Sequence, residues 1–538
     1  MATTPDSQNL ELTVTDFGPI AKAKIDLRPL TVFVGPSNTG KSYMAVLIYA
    51  LHQFFNAYSG RKSFRSFSHV KQRQSLDLSE HDLSGLYAWA KETLSDLETN
   101  EPEESCPIEL PESVATLIRP IFNNVAHLIE DLEGEITRCF GVGKTKNLVR
   151  HPCDSETTFS LHHNISRETA QNDPLGYKFT VTEQRTKIDA LIPNTMPLQM
   201  DIEDLAVLLW NWNVEWLTEM ENMELRKLGS AKAANWNVDW LAEMKNKGED
   251  ETAKLALIEL LRILANSIAL SIVGPLVHPA YYLPADRAGV MHAHQVAVRG
   301  LIASASRIGL RRESPMPVLS GVLGDFLEQL VELASSTRWE AQGNNDLALR
   351  MEQALLPGTV RVERSEIDYP SFVYRPDGWQ RDLPLMNASS MVSELAPVVL
   401  YLRHVVRPGD LLIIEEPESH LHPAMQVEFI RQLAVAVKSG IRILITTHSE
   451  WVLEELANLV RLSELPAERR GGIDDPDVEL RPEEIGAWLF ERGSKNSGSV
   501  VREMHLDIES GTFSSGFGLI TEGLYNRWAD ISNRIEEE

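Results

Sequence analysis

The chain has 538 residues, of which 43% are hydrophobic and 24% are charged, as expected for a globular protein with room for two or more domains. Its formal net charge of −26 argues against a protein that binds nucleic acid non-specifically, because binding to the phosphate backbone is chiefly electrostatic. The start of the chain lacks a signal-peptide pattern, the longest apolar run (residues 263–277) is too short to span a bilayer, and only three cysteines occur, so we expect a cytoplasmic protein with reduced thiols.

The first predicted elements are a strand, a phosphate loop and a helix. Residues 30–34 are an apolar run typical of a buried strand, and residues 42–57 favour a helix. Residues 35–42 between them read Gly-Pro-Ser-Asn-Thr-Gly-Lys-Ser, a complete G-x-x-x-x-G-K-[ST] pattern whose backbone N–H groups can wrap a polyphosphate. The predicted nucleotide-binding residues are Gly35, Asn38, Thr39, Gly40, Lys41 and Ser42. Of these, Lys41 would reach the β- and γ-phosphates and Ser42 would hold Mg²⁺.

A long segment of mainly helical periodicity follows. Residues 79–100 and 110–140 have helical spacing, whereas residues 177–182 alternate and predict a half-exposed strand. Residues 211–220 recur in nearly the same order as residues 235–244, with two tryptophans four positions apart in each copy. This duplication predicts the core of a helical hairpin or, alternatively, a surface that docks a partner.

Two further groups of residues have weaker patterns. His292 and His294 beside Asp286 could bind a metal, but two histidines alone are a weak signal. A basic stretch suits a nucleic-acid backbone, although such a cluster is more often a solvated helix face. It consists of Arg299, Arg307, Arg311 and Arg312. Direct contact with nucleic acid therefore stays open.

An apolar strand that ends in two carboxylates is predicted at residues 411–416. Buried parallel strands present their functional groups at the carboxyl end. Glu415 would bind Mg²⁺ directly or through water, and Glu416 would orient and deprotonate the attacking water. Two acids alone would indicate an ordinary solvated strand end, but together with the upstream phosphate loop they predict hydrolysis.

The next strand, residues 441–447, delivers His448 to the same sheet edge. A lone histidine is usually structural, yet this placement favours contact with the γ-phosphate. His420 and His422 lie between the two strands, and without further ligands nearby in the sequence they are a weak prediction of a metal site.

These motifs together resemble those of the ABC-type ATPases of the SMC/RecF/OLD group. The resemblance rests on the phosphate loop, on IIEEPESHLHP at residues 413–423, on ITTHS at residues 445–449 and on the strand pair that opens around residues 16–20. It implies an α/β fold, namely an ABC-type P-loop ATPase head with a mixed sheet and a largely helical insertion.

The resemblance also implies a division of the chain into three parts. Residues 1–60 would be the N-terminal part of the ATPase head, with the phosphate loop. Residues 61–278 would be a mainly helical insertion with some strands of the head. Residues 279–538 would be the C-terminal part of the head, with the signature, the acidic strand and His448 as the histidine switch.

Residues 383–400 resemble the signature loop and helix of this group. In the family this loop completes the nucleotide site of a second subunit, so Ser389 and Ser390 would cap the γ-phosphate in trans. Met391 stands where the family has a glycine, a departure that concerns the trans contact and not ATP binding in cis. The resemblance thus implies a head-to-tail dimer or higher oligomer around ATP and Mg²⁺.

Within the group, the chain resembles the PtuA-like ATPases of Septu-type and retron-associated anti-phage defence systems, with residues 506–526 resembling their terminal segment. None of the short acidic motifs of the Toprim nuclease domain of OLD enzymes follows His448, so an effector nuclease would be a separate polypeptide. The implied function is an ATP-hydrolysing sensor or regulator of a defence complex. The alternatives are a RecF/SMC-like DNA repair ATPase and a nucleotide-gated scaffold with little turnover.

Overall fold

The computed structural model describes residues 10–60, 108–110, 126–150, 157–163, 175–181, 186–191, 196–198, 274–294, 319–335, 345–364, 370–470, 473, 478–493, 497–507, 512–513 and 525–529. The strands in these ranges are β1 (Leu10–Phe17), β2 (Ile20–Leu27), β3 (Leu30–Val34), β4 (Ile108–Leu110), β5 (Thr157–His163), β6 (Leu175–Val181), β7 (Thr186–Leu191), β8 (Met196–Leu198), β9 (Ala280–Leu283), β10 (Gly358–Arg364), β11 (Pro370–Pro376), β12 (Leu383–Pro384), β13 (Leu411–Glu415), β14 (Arg442–Thr447), β15 (Ile485–Arg492), β16 (Ser499–Glu503), β17 (Leu506–Asp507) and β18 (Thr512–Phe513). The helices are α1 (Lys41–Gly60), α2 (Ala126–Phe140), α3 (Gly321–Ser335), α4 (Asn345–Leu355), α5 (Ser390–His404), α6 (Pro423–Lys438) and α7 (Glu450–Glu464).

One mixed sheet of eleven strands organises these elements, in the order β7-β6-β5-β1-β2-β16-β15-β3-β14-β13-β9. The strands β15, β3, β14, β13 and β9 run parallel to one another, and β7, β6, β5, β1 and β2 pair in antiparallel fashion. Between these two groups, β16 is parallel to β2 and antiparallel to β15. Two strands from late in the sequence, β15 and β16, thus lie between the early strands β2 and β3. The predicted α/β fold with a mixed sheet is confirmed.

Helices cover both faces of the parallel half of this sheet. In β3, Phe33 belongs to the core that includes α1, while Val32 and Val34 belong to the core that includes α5, α6 and α7. Successive residues of a strand point to opposite faces, so a strand between two helical layers is buried at every position. All five residues of β3 are buried, which explains the uninterrupted run that precedes the phosphate loop.

Outside the sheet, the expected helix over residues 110–140 is found in part. The helix α2 spans Ala126–Phe140, whereas Leu110 ends β4, which pairs with β8. Residues 111–125 lie outside the described residues. Residues 79–100, both copies of the tryptophan-containing duplication and the four arginines between residues 299 and 312 lie outside the described residues. Among the described helices, none is long and apolar enough to cross a membrane.

Candidate functional site

The phosphate loop connects β3 to α1 and has two glycines that no other residue could replace without strain. Gly35 has a φ of 136°, and a Cβ atom there would clash with the carbonyl oxygen of Phe490 in β15. Gly40 has a φ of 102°, and its Cβ would lie 2.6 Å from Cγ1 of Ile20 in β2. Because both φ values are disfavoured for L side chains, the loop needs glycine at these positions for its backbone path as well as for space.

Two further residues shape the turn. Asn38 has a φ of 62° and is exposed at the tip of the loop. Thr39 is fully buried, and its hydroxyl donates a hydrogen bond of 2.8 Å to the carbonyl oxygen of Pro36. Ser42 follows in the first turn of α1 with its side chain exposed. The loop is therefore fixed from below and open at its tip and at the start of the helix.

Lys41 lies buried within the curve of this loop. Its Nζ donates hydrogen bonds to the carbonyl oxygens of Gly35, at 2.7 Å, and Pro36, at 2.9 Å. Burial lowers the pKa of Lys41 to about 8, and nearby carboxylates, of which Glu416 acts most strongly, counter part of that shift. The ammonium is thus held where the strand, the loop and the helix meet.

The two predicted carboxylates occur where β13 ends. Glu415 is the last residue of the strand, and its Oε2 accepts a hydrogen bond of 3.3 Å from the backbone N–H of Ala285. Glu416 follows with a φ of 43°, and its backbone N–H donates to the carbonyl oxygen of Thr446 at 2.9 Å. A positive φ at a non-glycine residue costs free energy and is typical of functional sites. The two consecutive acids therefore face different neighbours: Glu415 contacts Ala285, and Glu416 lies near His448.

His448 joins the phosphate loop to the acidic strand. It lies between the end of β14 and Ser449, the N-cap of α7. Its Nε2 is 3.1 Å from Nζ of Lys41 and 3.5 Å from Oε1 of Glu416. Burial lowers the pKa of His448, the charge of Lys41 lowers it further, and Glu416 acts in the opposite direction. The predicted convergence of phosphate loop, acid and histidine is therefore a contact between side chains.

Arg287 is a further residue of this site. Its side chain is 1% exposed, and its NH1 donates to the carbonyl oxygen of Glu415 at 2.7 Å. Its Nε lies 3.1 Å from Oε2 of Glu394 in α5, and its NH2 donates to the carbonyl oxygen of Glu416 at 3.4 Å. One guanidinium thus connects the helix α5 to the backbone of both acids.

Glu418 is a second residue whose role sequence reasoning missed. Its Oε1 accepts hydrogen bonds from the hydroxyl of Thr447, at 2.8 Å, and from the backbone N–H of His448, at 2.6 Å. The only signal in the sequence is its position two residues after Glu416, and nothing in the chain indicates which distant backbone it meets.

The predicted signature serines lie at the start of α5. Ser389 is the N-cap, and its Oγ accepts a hydrogen bond of 3.4 Å from the backbone N–H of Val392. Both Ser389 and Ser390 are exposed, while Met391 packs partly buried against the core. No described hydrogen bond joins these serines to the phosphate loop of the same chain.

The two histidines beside Asp286 have structural contacts in the described part of the chain. His292 Nε2 lies 3.0 Å from the hydroxyl of Ser393, and buried His294 lies 2.6 Å, through Nδ1, from the carbonyl oxygen of Met291. Within the described ranges no group of three or more His, Cys, Asp or Glu residues is arranged to hold a metal ion.

Comparisons with solved structures find SMC head domains. The chain is similar to the Smc head domain of Pyrococcus furiosus with an extended coiled coil bound to the C-terminal domain of ScpA, with 12% identity, a TM-score of 0.34 and coverage of 96% of this chain and 99% of the other. A second match is the SMC head domain from Thermotoga maritima, with 10% identity, a TM-score of 0.31 and coverage of 93% and 99%.

Sequence comparisons match two shorter parts of the chain. The family described as "AAA ATPase domain" matches residues 328–453, a range that includes the acidic strand and His448. A stretch of 109 residues is 32% identical to Protein ea59 of Escherichia phage lambda, covering 20% of this chain and 21% of that protein. The chain thus matches about a fifth of the length of this curated relative. The ATPase-domain match supports nucleotide binding and ATPase activity in general.

Proposed function

We propose that the chain is a Mg²⁺-dependent, ABC-type ATPase that acts as sensor or regulator of a prokaryotic anti-phage defence complex with a separate effector nuclease. The observation that carries the ATPase part is the contact of His448 Nε2 with both Lys41 and Glu416. A lysine of the phosphate loop, an acid and a histidine, each placed just after one of three parallel strands at one sheet edge, suit hydrolysis of a nucleoside triphosphate.

The oxygen donors around the loop suit Mg²⁺. The hydroxyl of Ser42 is exposed in the first turn of α1. Glu415 is the last residue of β13, and its negative charge raises the pKa of Lys41. Hydroxyl and carboxylate oxygens are the ligands that Mg²⁺ prefers, and when bound the ion would neutralise charge on the β- and γ-phosphates. The backbone of residues 35–41 would bind the phosphates through its N–H groups.

The side chains of the site divide the remaining chemistry. Lys41 would orient the γ-phosphate, and Glu416 would take a proton from the attacking water. His448, neutral because its pKa is lowered, would position that water through Nε2. The turn at Glu416 directs its carboxylate towards His448, so acid and histidine would act on the same atoms.

Dimerisation would complete the site. Ser389 and Ser390 are exposed at the N-terminus of the 15-residue helix α5, whose first N–H groups and dipole suit an anion. We infer that they cap the γ-phosphate bound to a second copy, with water excluded between the two. Loss of the γ-phosphate would loosen the pair, so that ATP acts as a switch for whatever the complex holds.

The variant Glu416→Gln tests the ATPase part of this proposal. ATP turnover should fall at least 100-fold, ATP should still bind, and ATP-bound dimers should accumulate in light scattering after gel filtration. Glu464→Gln, which alters an exposed acid paired with Arg461 on α7, is the matched control and should keep wild-type turnover. Undiminished turnover in Glu416→Gln would refute the assigned role, and negligible wild-type turnover with Mg²⁺ would favour the nucleotide-gated scaffold.

The cellular role needs a separate test. The RecF/SMC-like repair alternative predicts ATP-dependent, salt-sensitive DNA binding, against which the net charge of −26 weighs. A neighbouring reading frame for an HNH nuclease or a reverse transcriptase would favour defence, and recombination genes would favour repair. Phage plating on cells that carry the locus should drop with the wild-type gene and recover with Lys41→Ala, and equal plating would oppose the defence role.

A further inference from the structure

Glu418 lies at the turn between β13 and α6, yet its hydrogen bonds go to the end of another strand. Oε1 accepts from the Thr447 hydroxyl at 2.8 Å and from the His448 backbone N–H at 2.6 Å. The strand β14 ends at Thr447, so the N–H of His448 is beyond the backbone ladder of the sheet. A carboxylate therefore supplies the acceptor that a neighbouring strand would otherwise provide.

The residues around His448 are held on both sides. The hydroxyl of Thr447, which donates to Glu418, also accepts a hydrogen bond of 3.0 Å from the backbone N–H of Ser449. The hydroxyl of Ser449 donates to Oε1 of Gln426 in α6 at 2.6 Å. Glu418 lies between β13 and α6 and Gln426 lies in the first turn of α6, so the segment 447–449 is tied to the chain that directly follows the acidic strand.

We propose that Glu418 is a positioning residue for His448, and this inference rests on the proposed ATPase function. Hydrogen bonds to an ionised acceptor are shorter and stronger than neutral ones, and two of them converge on one oxygen here. They fix the backbone from which the imidazole reaches Lys41, at 3.1 Å, and Glu416, at 3.5 Å. Displacing a catalytic group by about 1 Å costs on the order of 100-fold in rate. The two hydrogen bonds that Glu418 accepts should therefore affect turnover directly.

A different role for Glu418 would be to act through its charge. Its Oε2 is buried without a hydrogen-bond partner among the described residues, and its charge raises the pKa of Lys41. If charge were decisive, the amide of glutamine could not replace the carboxylate. If the hydrogen bonds to Thr447 and His448 are decisive, the amide oxygen can accept both. The glutamine and alanine variants therefore separate the two roles.

Steady-state kinetics of the 538-residue chain test the proposal. Glu418→Ala should lower kcat for ATP about 100-fold while changing KM less than threefold, because the phosphate loop is untouched. Glu418→Gln should keep kcat within about fivefold of wild type. The double variant Glu418→Ala/His448→Ala should be no slower than His448→Ala alone, since both changes remove the same contribution. Equal losses in the glutamine and alanine variants, or additive losses in the double variant, would overturn the proposal.

Amide hydrogen exchange tests the same contact without any turnover. The backbone N–H of His448 should exchange at least tenfold faster in Glu418→Ala than in wild type, and at close to the wild-type rate in Glu418→Gln. Glu428→Gln is the matched control, because Glu428 pairs with Gln432 within α6. Unchanged exchange in Glu418→Ala would overturn the proposal even in a chain that hydrolyses no ATP. Absent hydrolysis with the expected exchange would refute the proposed function alone.

Discussion

Nζ of Lys41 lies 3.1 Å from Nε2 of His448, a contact between residues 407 positions apart. An ammonium can only donate, so Nε2 must accept, and the imidazole is neutral with its proton on Nδ1. The lowered pKa of His448, caused first by burial and then by Lys41, agrees with this arrangement. The contact with Lys41 therefore assigns Nε2 as the acceptor nitrogen of His448.

The lowered pKa of Lys41 predicts a pH dependence of ATP affinity. Only the charged amine attracts phosphate, and that form is lost as pH rises through about 8, whereas an ordinary lysine keeps its charge to 10.5. Affinity should fall by up to about tenfold per pH unit above 8, measured by calorimetry between pH 7 and 9.5. In Lys41→Arg the residual affinity should be flat over this range, and a flat wild-type profile would contradict the prediction.

The buried pair of Arg287 and Glu394 predicts an asymmetric stability effect. Their side chains are 1% and 5% exposed, with Nε and Oε2 3.1 Å apart. Arg287→Met leaves a buried carboxylate without its cation and should lower the free energy of unfolding by about 3–5 kcal/mol in guanidinium denaturation. Adding Glu394→Leu should recover part of that loss, because no uncompensated charge then remains.

A surface pair provides the comparison for this result. Arg461 and Glu464 form an ion pair on α7 with side chains 44% and 47% exposed. Arg461→Met should change the free energy of unfolding by less than about 1 kcal/mol. Equal effects of the two arginine changes would show that burial does not set the cost.

The φ of Gly35 predicts a severe effect of one added methyl group. In Gly35→Ala the new Cβ would meet the carbonyl oxygen of Phe490 in the sheet, so β3 and β15 would have to separate locally. We expect loss of ATP binding and a cost of roughly 1–3 kcal/mol, read from titration and thermal denaturation. Gly324→Ala, in α3 with open space around the added Cβ, should instead stabilise the chain by roughly 0.5–1 kcal/mol.

The start of α5 predicts how to separate ATP binding from dimerisation. In Ser390→Glu a carboxylate joins the first turn of the helix, where the dipole favours it, so the monomer should fold normally. The same charge should repel a γ-phosphate held by a second copy. Cis binding of ATP should stay within about threefold of wild type while turnover and ATP-dependent dimers fall at least tenfold, and undiminished dimers would oppose the trans role.

Local signals explain why much of the site could be predicted from the sequence. The strand before Gly35, the acids after Ile414 and the strand before His448 are each contiguous patterns. Because β3, β14 and β13 are parallel neighbours, their carboxyl ends meet at one edge, and a reader of the sequence can place them together.

The remaining parts of the site depend on tertiary contacts that leave no local pattern. Arg287 has no role that a local sequence pattern assigns, and only the fold buries it against α5. Glu418 is one of three closely spaced acids, and its role follows from which backbone it meets. The expected helix over residues 110–140 is present at α2, but Leu110 pairs with Met196 in β8, and helical periodicity cannot report such distant pairing.

The placement of β15 and β16 between β2 and β3 has a consequence for synthesis of the chain on the ribosome. The N-terminal strands emerge first, but the oxygen of Phe490 that closes in on Gly35 and the strand that borders β3 emerge more than 400 residues later. The nascent polypeptide can therefore complete its nucleotide pocket only after β15 has been synthesised, and until then β3 lacks one of its neighbours in the central sheet.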